Sequence, residues 1–404
     1  MKKLLILLIL LIPVNIYALD YPKLYSDIVE VYDITDNKEL YEYNSKDKAS
    51  IASITKILTV YTAIKHSNNL NEKVTISRDM LKDIPRDLYV EGLKVGDVLT
   101  EKDLMYIAIT SSGADACYAL AYHEAGSINK FVSWMNQEAK EIGMNNSHFM
   151  NVHGLDENNH YSTAEDIKKL ILYARKNEDF KTIFSSKGYT TTNKMLIKSR
   201  YINNLNYGID KSNITGGKTG YTNKAGVCFA GTFISDKHEF LIVLLKAPYV
   251  YNQNYNIKDF SKLIKFIDDN YNWYTLYTKG QVIKKLKVNL SKTDYYNITV
   301  SKDITKFLPK DYDKSKITYN YDSYKDLSFR VKKGTKIGHI KYIYDKETIY
   351  EEDIILKQEL KVSIKKLLSH YKIHILTTII VIIIIIVLLS KIKRKVKKVN
   401  KKRL

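Results

Sequence analysis

Residues 51–58 read IASITKIL, and the apolar pattern continues at helical spacing through TVYTAIKH to residue 66. Ser53 and Lys56 stand three positions apart in this pattern, so on a helix their side chains share one face. A lysine buried among Ile, Leu and Val is costly if it is charged. The chain therefore either exposes Lys56 or uses it. If burial and a second cation lower its pKa, a neutral Lys56 amine can act as a base toward the Ser53 hydroxyl.

The Ser-x-x-Lys pattern alone is a weak signal in this lysine-rich chain. It occurs six times, and only the copy at Ser53 lies within a long apolar helical pattern. A surface serine beside a solvated lysine is the alternative interpretation. The other five copies begin at Ser45, Ser127, Ser363, Ser369 and Ser390.

Two further stretches carry candidate site residues. Residues 216–222 read GGKTGYT, which contains the only Lys-Thr-Gly of the chain, Lys218-Thr219-Gly220. Lys218 offers a cation and Thr219 a hydroxyl, which together suit a substrate carboxylate, and glycine allows close approach of a ligand to the backbone. Residues 111–120 read SSGADACYAL, with Ser112 opening a helical pattern.

The surrounding patterns predict an α+β domain over residues 20–270, with strands at both ends and helices in the middle. Residues 28–44 form two alternating runs around Asp36-Asn37, which is typical of a β-hairpin. Residues 215–247 suggest a turn followed by two antiparallel strands. Helices are predicted at 100–122, 127–142 and 163–176.

The second half of the chain has a different texture. Short Val-, Ile- and Tyr-rich runs over 278–358 predict a small all-β domain without catalytic groups. A basic linker, 359–372, leads to an apolar run at 373–390, which predicts a single transmembrane helix.

The two ends of the chain predict its topology. Residues 1–18 have the layout of a signal peptide, with an uncleaved anchor as the alternative. Nine Lys or Arg in 391–404 predict a cytoplasmic tail and an extracellular catalytic domain at the cell membrane. Of the net charge of +20, eleven positive charges lie in these two segments, so the charge distribution does not indicate a nucleic-acid partner.

The sequence marks no metal or cofactor site. It contains no His-Glu-x-x-His, so a zinc peptidase of that type is unsupported. We interpret His123, His153 and His160 as structural residues. Cys117 and Cys228, each in an apolar setting, are expected to be buried core residues, with a disulfide as the alternative.

The order of the three motifs resembles that of the penicillin-binding D-alanyl-D-alanine carboxypeptidases. The resemblance covers residues 25–260 and includes FMNVHGLDENNHYSTAEDI at 149–167. It implies a β-lactamase/transpeptidase-like fold, an antiparallel sheet flanked by helices. It also implies trimming of peptidoglycan stem peptides, in a wall-building role tied to cell shape. Ser53 would be the nucleophile, Lys56 the general base and Ser112 a proton relay to the leaving D-alanine. Penicillin and other β-lactams would acylate the same serine.

The resemblance also implies how the substrate is held. Lys218 and Thr219 would bind the terminal carboxylate of the peptide, with Gly220 allowing close approach. Lys218 would also lower the pKa of Lys56 by like-charge proximity. The backbone N–H groups of Ser53 and Tyr221 would form the oxyanion hole.

One position departs from the family pattern. The middle motif usually ends in asparagine, and Ala114 stands there. Losing one hydrogen bond at this place would cost about 1–3 kcal/mol. A weakly active or inactive homologue that binds wall peptides is therefore one alternative. A β-lactamase is another, although no Glu-x-x-Leu-Asn-like loop follows residue 150.

Overall fold

The computed structural model describes residues 21–201, 210–324 and 326–400, with side chains to 394. The predicted signal peptide, 1–18, lies outside these residues. The chain divides into two compact units after Asn270.

The first unit is built on a five-stranded antiparallel sheet in the order β2-β1-β9-β8-β7. The strands of the whole unit, including those outside this sheet, are β1 Ile28–Asp33, β2 Lys38–Tyr43, β3 Lys73–Thr75, β4 Val98–Thr100, β5 Gly188–Thr190, β6 Leu196–Lys198, β7 Ile214–Thr222, β8 Gly226–Ser235 and β9 His238–Ala247. Its helices are α1 Lys56–His66, α2 Arg78–Leu81, α3 Glu101–Tyr106, α4 Ala114–Ala125, α5 Ile128–Ile142, α6 Ala164–Ala174, α7 Glu178–Phe184 and α8 Tyr255–Asn270. Shorter turns are 3₁₀ at Ala52–Thr55 and Lys211–Asn213, and π-helical at Ile107–Ser111.

Both faces of the sheet are covered, which explains the continuous apolar run of β9. Every residue from 240 to 245 is fully buried. Leu241, Val243 and Leu245 belong to the main core that also contains the apolar side chains of α1 and α6. On the other face Phe233 stacks on Phe240 and meets Phe260 of α8. The α+β class with helices flanking an antiparallel sheet is therefore confirmed.

Helix α1 is the centre of the core. All residues from Lys56 to Ile64 are buried, so the helix is covered on every side. This is why IASITKIL and its continuation are apolar around the whole helix rather than along one stripe.

Two predicted elements differ from the structure. The helix expected at 100–122 is interrupted, because the π-helical turn ends at Ser112, whose φ is +70°. The turn expected at the start of 215–247 is wrong, since residues 214–222 form the edge strand β7, which pairs antiparallel with β8. The hairpin at 28–44 and the helices at 127–142 and 163–176 are found as β1–β2, α5 and α6.

The second unit is all-β up to its C-terminal helices, as predicted, and its strands begin at Tyr271 rather than 278. They are β10 Tyr271–Tyr277, β11 Val282–Asn289, β12 Tyr295–Thr299, β13 Ile304–Pro309, β14 Ile317–Ser323, β15 Leu327–Ser328, β16 Lys336–Tyr344 and β17 Glu347–Ile355. They form sheets in the orders β14-β16-β17, β12-β11-β15 and β10-β13 around a core that includes the fully buried Tyr342.

Two helices follow the β strands. The segment expected to be a linker contains α9, Ile364–His370, and Lys366 Nζ donates to the carbonyl of Ser291 at 2.8 Å. The second helix, α10, runs over Lys372–Asn400. Among the described residues one helix, Lys372–Arg394, has the length and composition to cross a membrane, and none of it is buried by protein.

Candidate active site

Ser53 and Lys56 lie where the 3₁₀ turn Ala52–Thr55 runs into α1. Residues three apart eclipse each other in a 3₁₀ turn, so both side chains point the same way. Both line a cleft of about 770 Å³. Ser53 is half-buried, whereas Lys56 is 1% exposed. The Ser53 hydroxyl forms no hydrogen bond with the described residues, which leaves it available to a ligand.

The side chains of the three predicted motifs meet at Ser112. Lys56 Nζ donates to the carbonyl oxygen of Ser112 at 2.5 Å and lies 3.1 Å from its Oγ. Lys218 Nζ lies 2.9 Å from the same Oγ and 2.8 Å from the carbonyl oxygen of Thr219. Residues 56, 112 and 218, distant in sequence, thus form one hydrogen-bonded group.

The position of Ser112 depends on the unusual backbone before it. The π-helical turn Ile107–Ser111 widens the end of α3, and Ser112 then takes a left-handed conformation. Such turns are often found at functional sites. Gly113 is required next, because a Cβ there would lie 2.6 Å from Ile107 Cγ2. This geometry turns the Ser112 hydroxyl toward the two amines.

Burial sets the electrostatics of the two lysines. It lowers the pKa of Lys56 from the ordinary 10.5, and the charge of Arg200 lowers it further. It lowers the pKa of Lys218 well below 10.5, with the charges of Lys56 and Arg200 adding to the effect. Two buried amines that share one hydroxyl are strongly disfavoured as a doubly charged pair. The neutral form of at least one of them is therefore favoured.

Strand β7 forms one wall of the cleft. Thr219, Gly220 and Tyr221 line it, while Lys218 is fully buried and does not. A Cβ on Gly220 would lie 3.0 Å from the backbone nitrogen of Ser53. Glycine therefore lets β7 pass directly against the 3₁₀ turn Ala52–Thr55, which carries Ser53 and which we call the nucleophile turn.

The histidines near the cleft are structural and neutral. His153 Nδ1 accepts from the backbone N–H of Leu155 at 3.1 Å, and burial lowers the pKa of His153 to about 3. His160 Nε2 lies 2.9 Å from Thr55 Oγ1, and burial lowers its pKa to about 4. His160 thus joins the loop 148–160 to the 3₁₀ turn Ala52–Thr55, while His153 Nε2 lies 3.4 Å from the hydroxyl of Tyr118 on α4, so neither is placed as a Ser-His-Asp base.

Arg200 is a cleft residue that the sequence analysis missed. Its guanidinium lies 3.7 Å from the ring centroid of Tyr89, and both side chains line the cleft. Its backbone N–H donates to the carbonyl of Thr110 at 3.2 Å, just before Ser112. Arg200 places a permanent positive charge beside the two lysines. No local motif marks it, and the many other basic residues of the chain hide it.

Ala114 and Asp115 begin α4. Ala114 is fully buried, and its N–H donates to the carbonyl of Tyr89 at 2.8 Å. The carboxylate of Asp115 accepts from the backbone N–H groups of Glu91, Gly92 and Leu93 at 2.8–3.0 Å. Asp115 is thus committed to holding the loop before β4, and it does not replace the missing asparagine.

Cys117 and Cys228 are both free and buried, which confirms them as core residues. The described cleft residues include no group of His, Cys or acidic side chains with metal-ligand spacing. The two such groups elsewhere, around His238 and His123, do not line the cleft.

The chain matches two models of known protein families. Residues 18–249 match the family model of D-alanyl-D-alanine carboxypeptidases, and 271–362 match that of the C-terminal domain of penicillin-binding protein 5. The chain is 27% identical to the D-alanyl-D-alanine carboxypeptidase DacF of Bacillus subtilis, over 80% of this chain and 83% of that protein.

Solved structures agree in fold. Penicillin-binding protein 5 from Haemophilus influenzae matches with a TM-score of 0.61 at 25% identity, over 85% of this chain and all of that one. Penicillin-binding protein 6B from Escherichia coli matches with a TM-score of 0.62 at 23% identity, over 84% and 98%. The first family model alone spans more than half of the chain. The chain therefore belongs to the D-alanyl-D-alanine carboxypeptidase family of serine peptidases, the low-molecular-weight penicillin-binding proteins.

Proposed function

We propose that the protein removes the terminal D-alanine from peptidoglycan stem peptides through an acyl-Ser53 intermediate. The observation that carries this proposal is the convergence of the Lys56 and Lys218 amines on Ser112 Oγ, at 3.1 and 2.9 Å, beside the cleft that Ser53 lines. This arrangement supplies a base and a hydroxyl relay in one hydrogen-bonded group beside the nucleophile.

Acylation begins at Ser53. The neutral Lys56 amine takes the Ser53 proton as Oγ attacks the carbonyl carbon between the two D-alanines, and a tetrahedral oxyanion forms. The backbone N–H groups of Ser53 and Tyr221 stabilise this oxyanion, and each such donor contributes roughly 10²–10³ in rate. The close approach of β7 to the Ser53 nitrogen at Gly220 supports this pairing.

Collapse of the intermediate requires a proton on the leaving amine. The Ser112 hydroxyl gives its proton to the departing D-alanine and is reprotonated from the Lys56 ammonium. Water then attacks the acyl-Ser53 ester while Lys56 again takes the proton. The ester C–O bond breaks, Lys56 returns the proton to Ser53 Oγ, and the shortened peptide leaves. A β-lactam carbonyl acylates Ser53 by the same first step.

Recognition of the terminal carboxylate uses the basic end of the cleft. Thr219 and Arg200 line the cleft directly, and Lys218 lies buried behind them with its Nζ 2.9 Å from Ser112 Oγ. Arg200 is the residue best suited to hold a carboxylate, because guanidinium groups bind carboxylates with two parallel hydrogen bonds.

The test is release of D-alanine from a stem pentapeptide by the purified full-length protein. We expect release that is abolished in Ser53→Ala. Ser111→Ala, which removes the hydroxyl next to Ser112 in sequence, should retain D-alanine release, because the Ser111 hydroxyl only donates to the Ile107 carbonyl. A fluorescent penicillin should label Ser53 stoichiometrically. Equal D-alanine release by Ser53→Ala and the wild type would refute the proposal.

The buried Ala114 supports a second candidate function, that of a weakly active homologue that binds wall peptides. Stoichiometric penicillin labelling without D-alanine release would identify it. The carboxylates among the described cleft residues belong to Asp87 and Asp156, and no glutamate lines the cleft. A β-lactamase that activates water with a glutamate is therefore not supported. Rapid turnover of nitrocefin would contradict this conclusion.

We further propose that α10 anchors the protein in the cell membrane with the catalytic unit outside. The apolar side chains of this helix are exposed, and the basic residues after them favour a cytoplasmic tail. Protease added to intact cells should leave the tail uncut. Cleavage of the tail under those conditions would contradict this topology.

A further inference from the structure

A second cluster of ligand-type side chains lies outside the cleft. Glu72 directly precedes β3, Glu101 is the first residue of α3, and His123 and Glu124 lie in the last turn of α4. We call these four residues the His123 cluster. The backbone N–H of Glu101 donates to the carbonyl of Glu72 at 3.1 Å, which ties two of the contributing segments together.

The donor atoms of this cluster converge. His123 Nε2 is 3.1 Å from Glu101 Oε1 and 3.9 Å from Glu72 Oε1. One donor atom from each of these three residues lies within 4.8 Å of the other two. Donors that bind one tetrahedral ion at about 2.1 Å are about 3.4 Å apart. Small side-chain rotations would bring the three atoms to that separation.

The carboxylates of the cluster are under-compensated. The side chain of Glu101 is 2% exposed, and its Oε2 has no hydrogen-bond donor. Oε1 of Glu124 is likewise buried and has no donor. Among the ion pairs of the described residues, no lysine or arginine reaches Glu72, Glu101 or Glu124. A buried carboxylate oxygen without a donor or a cation is strongly disfavoured. The site therefore calls for a positive ligand.

We propose that the His123 cluster binds one divalent transition-metal ion, with His123 Nε2, Glu101 and Glu72 as ligands and Glu124 beside them. One imidazole and two or three carboxylates form a donor set that suits Zn²⁺. A bound ion would join the start of α3 to the end of α4. These helices flank the backbone turn that carries Ser112, so the ion would stabilise the scaffold of the active site without taking part in its chemistry.

The alternative occupant is a proton shared between the neighbouring carboxyl groups of Glu101 and Glu124. The two occupants make different predictions. A shared proton predicts no metal uptake, whereas a metal site predicts uptake that depends on both Glu101 and His123. A direct binding measurement therefore decides between them, independently of any enzymatic activity.

The experiment uses the purified full-length protein in detergent, stripped with EDTA, dialysed and titrated with Zn²⁺ at neutral pH. Elemental mass spectrometry gives the number of metal ions bound per chain, and circular dichroism gives the midpoint temperature of thermal unfolding. We expect one Zn²⁺ per chain and a midpoint raised by about 5 °C at free Zn²⁺ about a hundredfold above Kd.

Variants test the assignment of the ligands. Glu101→Gln and His123→Ala should each lose the Zn²⁺ and the midpoint shift while keeping a folded spectrum. His148→Ala removes a half-buried histidine that lies outside the cluster and contacts the carbonyl of Asn159, and this variant should keep both. No Zn²⁺ bound to the wild type, or equal retention by the wild type and both cluster variants, would overturn the proposal.

Discussion

Gly154 touches the nucleophile turn, and replacing it by alanine should disable Ser53 from outside the catalytic group. Gly154 has φ of +91°, and a Cβ there would lie 1.9 Å from the carbonyl oxygen of Ala52. Side-chain Cβ atoms essentially never approach closer than 3.0 Å, so the Ala52 carbonyl would have to move by about 1.1 Å. That carbonyl belongs to the peptide group whose N–H is the proposed Ser53 oxyanion donor.

The magnitude follows from this displacement. A shift of about 1 Å in a reacting group can cost about 10²-fold in rate, and losing one oxyanion donor costs a similar factor. We therefore expect Gly154→Ala to lower the second-order rate constant for acylation by a fluorescent penicillin about 10²-fold. The left-handed backbone adds a stability cost of about 1–2 kcal/mol.

A matched control separates strain from displacement. Gly96 has nearly the same φ, +93°, but a Cβ there would meet nothing within 4 Å. Gly96→Ala should lose only the cost of the left-handed backbone, about 1–2 kcal/mol by thermal unfolding, and keep its acylation rate. If Gly154→Ala acylates as fast as Gly96→Ala, loop 148–160 does not position Ser53 and the argument fails.

Three further substitutions test the site. Lys56→Met should abolish acylation. Its stability relative to the wild type should also increase as the pH falls from 10.5. Folding releases the Lys56 proton, so the stability of the wild type decreases as the pH falls from 10.5 to the lowered folded-state pKa of Lys56. Thermal unfolding across pH checks this, and a stability difference independent of pH would contradict it. Arg200→Ala should lower kcat/KM for the pentapeptide about 10- to 100-fold by removing a charged hydrogen-bond donor, whereas an unchanged value would exclude Arg200 from substrate binding. Ala114→Asn should speed acylation about tenfold if it restores one hydrogen bond to substrate, and an unchanged rate in a folded variant would show that the site does not use that amide.

The sequence predicts the centre of the site because the nucleophile and the base lie close together in the sequence. Ser53 and Lys56 are three residues apart in an apolar pattern, and that spacing alone places them on one face. The two strands predicted within 215–247 likewise follow from local runs of apolar residues. Such features depend on neighbouring residues, so periodicity is enough to find them.

Other features arise only from tertiary contacts. Residues 214–222 contain three glycines, which have low strand propensity, and only pairing with β8 makes them a strand. The π-helical turn before Ser112 shares the apolar pattern of the helix around it, so periodicity does not reveal it. Arg200 reaches the cleft beside Tyr89, and Gly154 meets Ala52, across long sequence separations. No motif in the sequence marks these contacts.

The most direct measurement is the titration of the Lys56 side chain in the intact protein. The ¹³Cε resonance of Lys56, assigned by its loss in Lys56→Met, reports whether the amine is charged. We expect a transition below the ordinary pKa of 10.5, at the pH where the rate of Ser53 acylation rises. A Lys56 amine that stays charged up to 10.5, in a protein that acylates normally at lower pH, would contradict its role as the base.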